Sequence, residues 1–141
     1  MAQMTGKQGD PQEIIGRAIV GCDTLHPLLQ TSVYRQFIGG SYGAAVRDAF
    51  LIVEERVKAT SGIEGETGVA LMRAAFNPSG GPNTLTDMTL PAAERERMAD
   101  LFVGAIATFK DPVCQKVLGN ENSPSAFEAL TFASELLSYL P

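Results

Sequence analysis

What this chain has least of is positive charge: 11 Lys and Arg stand against 16 Asp and Glu, a formal charge of −5 over 141 residues. Neutralising phosphates supplies most of the non-specific affinity of nucleic-acid binders. The acidic balance therefore disfavours RNA as a partner and argues against strong non-specific binding to any nucleic acid. Histidine is nearly missing, with His26 alone, and Cys22 and Cys114 stand far apart outside any CxxC pattern. So small a ligand set excludes a zinc site, and neither a metal nor a cofactor is expected. The cysteines read as buried structural thiols, not a disulfide. No apolar run approaches the roughly 18 residues of a membrane span, and the N-terminus has no signal-peptide core. No membrane partner and a cytoplasmic location are the matching expectations. Gly80-Gly81 follows no strand and is not succeeded by Gly-Lys-Ser or Gly-Lys-Thr, so a phosphate-binding P-loop is excluded too.

What is present is an ordinary globular composition, 45% apolar and 19% charged. A chain of this length makes one domain and buries roughly two-thirds of its unfolded surface. Residues 1–9 show no periodicity and read as a flexible tail; residues 10–141 form the single domain. Asp10, Pro11 and Glu13 mark a first helix start, and the apolar face Ile14, Ile15, Ala18, Ile19, Cys22 fades near Asp23. Pro27 opens a second helix that Gly39-Gly40 ends. Ser41 is the expected cap of the most regular helix, where Tyr42, Val46, Ala49, Phe50, Val53 and Val57 form one stripe. Arg47 and Asp48 read as a solvated pair; Glu54 and Glu55 read first as surface carboxylates, with a hydrogen bond across the bundle as the alternative.

A short helix from about Thr67 to Phe76 follows, then a breaker-rich connection over 77–90 that is either functional or mobile. Thr89 and Pro91 start a helix that is apolar on nearly every side from Met98 to Phe109, which places it at the centre of a bundle or in a subunit interface. Pro112 closes it. Ser123 and Pro124 start the last helix, with Phe132 and Leu136 on a second apolar face. The fold class is all-α, an antiparallel bundle of five or six helices. The expected core is Val46, Ala49, Phe50, Val53, Leu101, Phe102, Ala105, Phe109, Leu130 and Leu137.

Three segments in order carry a family resemblance. The run Phe37-Ile38-Gly39-Gly40-Ser41-Tyr42-Gly43-Ala44-Ala45-Val46-Arg47-Asp48-Ala49-Phe50, ending in Val53-Glu54-Glu55-Arg56-Val57, resembles the turn, Tyr, Ala-Val and Glu helix of HEPN-superfamily proteins. Leu71-Met72-Arg73-Ala74-Ala75-Phe76-Asn77-Pro78 and Phe102 to Pro112 are similar to the next landmarks. The branch it most resembles is the Ymh-type group of bacterial and phage proteins, over roughly residues 25–140. The resemblance implies a HEPN-like bundle. It also implies the setting of that superfamily, in which dimeric, metal-independent ribonucleases serve toxin–antitoxin or phage-defence systems with an Arg-Asn-x-x-x-His motif facing a dimer cleft.

Matched position by position, Lys110 stands where that motif has Arg, Asp111 where it has Asn, and Gln115 where it has His. Cleavage of this kind moves a proton near neutral pH, which imidazole does because its pKa lies near about 6.5. The Gln115 amide cannot, and the missing contribution is typically about 10²–10⁴-fold in rate. Lys110 keeps a charge without the bidentate fork of Arg, and Asp111 adds a negative charge where phosphate would sit. All three replacements point to an inactive motif. The main expectation is a non-catalytic HEPN-like interaction module that binds a protein partner or a second copy through helices around 98–109 and 124–140, in a phage-defence or mobile-element setting. One alternative is a ribonuclease with Lys110 as phosphate clamp and His26 as relocated base. The other is a helical adaptor unrelated to RNA.

Overall fold

A computed structural model describes residues 22–111, 116 and 122–141. Among them there is no strand: a 3-10 turn (Pro27–Leu29) precedes α1 (Ser32–Ile38), α2 (Tyr42–Ser61), α3 (Gly68–Ala75), α4 (Ala92–Phe109) and α5 (Ser123–Ser138). The all-helical expectation holds there. The expected tail, nearly all of the first helix, and Pro112, Cys114 and Gln115 lie outside the described residues.

The helix that Pro27 opens is divided. Pro27–Leu29 forms one 3-10 turn, and the α-helix begins only at Ser32. His26 explains the break, because its backbone oxygen and its Nδ1 take the Leu29 and Leu28 N–H groups at 2.8 and 3.2 Å. Ser41 holds the expected N-cap position of α2 but makes no side-chain cap bond; its own N–H is tied back to Gln36 O at 2.9 Å by the Gly39-Gly40 turn. The last helix starts at Ser123, as expected, and is capped by Asn122, whose Oδ1 accepts the Ser125 N–H at 3.0 Å. Gly62 ends α2 in the left-handed region at φ 74°, which an L side chain adopts only at a cost.

The hub of the bundle is α2, which packs against each of the other four helices; the apolar α4 packs chiefly on α3 and α2. Contacts advance together along α2 and α5: Phe37 of α1, which meets Tyr42 at the start of α2, lies 5.5 Å from Phe127, Phe50 meets Phe132 at 5.9 Å, and Arg56 donates to Pro141 O at 2.6 Å. Those two helices therefore run parallel. α3 and α4 run antiparallel, with Phe76 stacked on Phe102 at 4.2 Å at one end and Gly68 close to Lys110 at the other.

Of the expected core, Leu101 and Phe109 are only half-buried, and the rest are buried. Phe109 nonetheless lies flat on Phe50, with ring centroids 4.5 Å apart. Leu29, Leu71, Met72 and Leu136 join the core at full burial. The second apolar face of α5 is consumed inside the chain, since Leu136 is fully buried and the Phe132 ring packs on Phe50 and Phe109.

The 77–90 connection is stitched to the helices. Leu85 N–H donates to Ala75 O at 2.7 Å, Thr86 Oγ1 to Asn77 O at 2.7 Å, and Arg95 Nη1 to Pro78 O at 2.6 Å. Gly80 sits at φ 76°, and a Cβ there would meet Met88 Sδ at 2.8 Å. The turn is available to glycine and to little else.

Candidate functional site

The C-terminal end of α4 places Lys110 at its C-cap, where a cation also complements the helix dipole. The side chain reaches across the bundle to α2: Lys110 Nζ donates to Glu54 Oε1 in a salt bridge, with the carboxylate side chain 8% and the lysine 31% exposed. The other oxygen, Glu54 Oε2, accepts the Gly68 N–H at 2.8 Å. Thr67, the N-cap of α3, supplies no side-chain bond of its own. Glu54 therefore caps α3 from a different helix while pairing with the end of α4. One carboxylate ties together three elements.

Electrostatics follow from that placement. Burial alone would raise the Glu54 pKa. The Lys110 hydrogen bond, the Gly68 N–H and the charges of Lys110 and Lys58 outweigh burial, and the carboxyl titrates below its ordinary value. Both carboxylate oxygens are engaged, and the ammonium is neutralised. Neither group is left to move a substrate proton or to clamp a phosphate without breaking the pair. Beside it a shallow depression of about 250 Å³ is lined by Gly68, Val69, Ile106, Ala107, Lys110 and Asp111, with Asp111 exposed.

For Glu54 the surface reading, the commoner case for a helix carboxylate, gives way to the alternative of a bond across the bundle: the residue is 6% exposed and holds Lys110. A signal existed: Glu54 stands four after Phe50 and three before Val57, on the arc of the buried stripe. Asp48 is likewise no part of a solvated pair with Arg47, since its Oδ2 accepts Gln36 Nε2 at 2.8 Å and it is half-buried.

His26 lies elsewhere. Its backbone N–H donates to Ser134 Oγ at 2.7 Å, and its Nδ1 caps the 3-10 turn. Phe109, next to Lys110, packs on Phe132 of α5. Ser134 is two residues further on, roughly 200° around that helix. Within one chain His26 and Lys110 therefore stand on opposite sides of α5 and form no joint site. Gln115 lies outside the described residues. No group of three His, Cys, Asp or Glu able to hold a metal occurs among the described residues, and no helix there is long and apolar enough to cross a membrane. Cys22 is a free thiol, half-buried where full burial was expected, with Sγ 3.6 Å from Gln30 O.

A small helical bundle in which a carboxylate from within α2 joins the ends of two other helices is the class that fold and site define. A protein-family model described as "protein of unknown function (Hypoth_ymh)" matches residues 23–140, and the chain belongs to that family. Comparisons with curated proteins and with solved structures give no match.

Proposed function

We propose that this protein is a non-catalytic, HEPN-like interaction module that works by binding a second copy of itself or a protein partner, in the phage-defence or mobile-element setting the resemblance implies. The observation that carries the reading is the engagement of Lys110 by Glu54. At the position where a ribonuclease motif would offer a free cation to phosphate, this chain spends its cation on a structural carboxylate. The acidic balance of the chain supports the same reading. The ribonuclease alternative loses support, because His26 and Lys110 diverge within the chain.

Self-association through the segment 98–109 is part of the proposal, and its surface is the outward side of α4, where Gly104 and Ala107 are exposed and a side chain added at Gly104 would meet open space. The last helix is a poorer contributor, because both its apolar faces are used internally.

The experiment pairs light scattering with an RNA-cleavage assay on one sample. The reading expects a dimer at tens of micromolar and no cleavage above background. Gly104→Arg should return a monomer without unfolding. Cleavage lost in both Lys110→Ala and His26→Ala would overturn the non-catalytic reading. Rebuilding the motif as Lys110→Arg, Asp111→Asn and Gln115→His together should leave the protein inactive, because Glu54 still claims position 110.

A further inference from the structure

Beneath the 77–90 connection, Phe76, Leu85, Leu90 and Met98 wall a cavity of about 210 Å³ beside Tyr139, which is 52% exposed. Arg95 also faces it. Among the described residues its guanidinium is held by neutral acceptors: Nε donates to Leu90 O at 3.1 Å, and Nη1 to Pro78 O at 2.6 Å and Met88 Sδ at 3.5 Å. None of these bonds uses Nη2. Arg97 and Lys110 have carboxylates within ion-pair distance, whereas Arg95 makes no ion pair among the described residues. A half-buried cation beside apolar walls, with no described carboxylate at ion-pair distance, favours an anion that brings its own apolar body.

We infer that this cavity binds a small monocarboxylate with an aryl or short aliphatic body, its carboxylate on Arg95 and its apolar part against Phe76, Leu85, Leu90 and Met98. Size agrees. A cavity of about 150 Å³ is enough for benzene, so the observed space admits a ring and one acidic group. The positioning of Arg95 agrees as well, because its two carbonyl bonds fix the guanidinium before any ligand arrives, and a donor held in place loses less freedom on binding. Asp87, which lines the same cavity, supplies an opposing charge. Its Oδ1 is occupied by the Thr89 N–H and Oγ1 at 2.9 and 2.5 Å. That charge excludes dianions more strongly than monoanions and sets which end of the ligand enters. Nothing in this inference depends on the protein being a partner-binding module.

The test titrates benzoate into isotopically labelled full-length protein, follows amide shifts, and repeats the titration with benzamide, the neutral isostere. Benzoate should saturate, with the largest shifts at Leu85, Leu90, Met98 and Tyr139, and benzamide should bind about tenfold more weakly. Asp87→Asn, an exposed change, should tighten benzoate by about twofold, through removal of a like charge. Arg95→Met should weaken benzoate by about tenfold or more. That variant also releases two loop carbonyls, so the benzamide comparison on unaltered protein and the Asp87→Asn variant keep the outcome decisive if it fails to fold. Equal affinity for benzoate and benzamide, shifts centred away from the cavity, or no saturation by either would overturn the inference.

Discussion

Removing the Lys110 ammonium should cost more than removing its partner. In Lys110→Met the Glu54 carboxylate, 8% exposed, keeps only the Gly68 N–H. Breaking a buried pair from one side costs about 3–5 kcal/mol. Lys110 is itself 31% exposed, so the pair stands at the edge of that regime and about 3 kcal/mol is the reasoned figure. For a domain of this size that lowers the melting temperature by about 6–12 °C. Glu54→Gln is the milder change. The amide oxygen still accepts the Gly68 N–H, and a third-exposed lysine turns to water, so about 1 kcal/mol is expected. The double variant should resemble Glu54→Gln alone, a coupling of about 3 kcal/mol.

Urea unfolding followed by circular dichroism reads all four proteins, and pH supplies an internal check. The folded pKa of Glu54 lies below its ordinary value of 4.5, so the pair's contribution is complete above that value and is lost as pH falls through the folded pKa. The gap between wild type and Lys110→Met should thus be widest near neutrality and close in acid. A Lys110→Met loss under about 0.5 kcal/mol, the range of exposed ion pairs, would refute the reasoning. So would a gap that is unchanged by acid.

Two further outcomes test the frame around the site. Gly80→Ala should destabilise by about 1 kcal/mol through its positive φ; because Met88 is 53% exposed and free to swing aside, adding Met88→Ala should not restore stability, and rescue in thermal melts would mean the clash dominates instead. Asn122→Ala should cost about 1 kcal/mol by removing the cap of α5, while Ser123→Ala should cost little; equal losses in urea unfolding would contradict the assignment of the cap.

Helix ends marked by Gly or Pro were legible in the sequence because those residues restrict the backbone locally. The Gly39-Gly40 stop and Pro91 before α4 both fall where the sequence predicts. The stripe of α2 was legible for a related reason, since a 3.6-residue period reports one buried face wherever the partners lie. What escaped was everything set by partners distant in sequence. Glu54 and Lys110 are separated by 56 positions, and nothing local says that an acidic side chain on a buried arc will find a lysine at another helix end. The surplus apolar surface of α5 was legible, but its destination was not. Phe132 and Leu136 turn inward because α5 lies parallel to α2 with Phe109 across from it.

The same geometry changes the meaning of lysine at position 110. From sequence it is an arginine lost, a weaker hold on phosphate. In the structure one Glu54 oxygen is already committed to the Gly68 N–H, so a single oxygen remains for the cation. A guanidinium fork gains its advantage from two acceptor oxygens in one plane. Against a half-occupied carboxylate it would either displace the Gly68 N–H, uncapping α3, or leave a donor unsatisfied next to buried Ile106. An ammonium needs one good acceptor and satisfies its remaining donors toward solvent. Lysine is thus the cation that lets one carboxylate serve two helix ends, which is a structural reason for the residue that owes nothing to nucleic-acid chemistry.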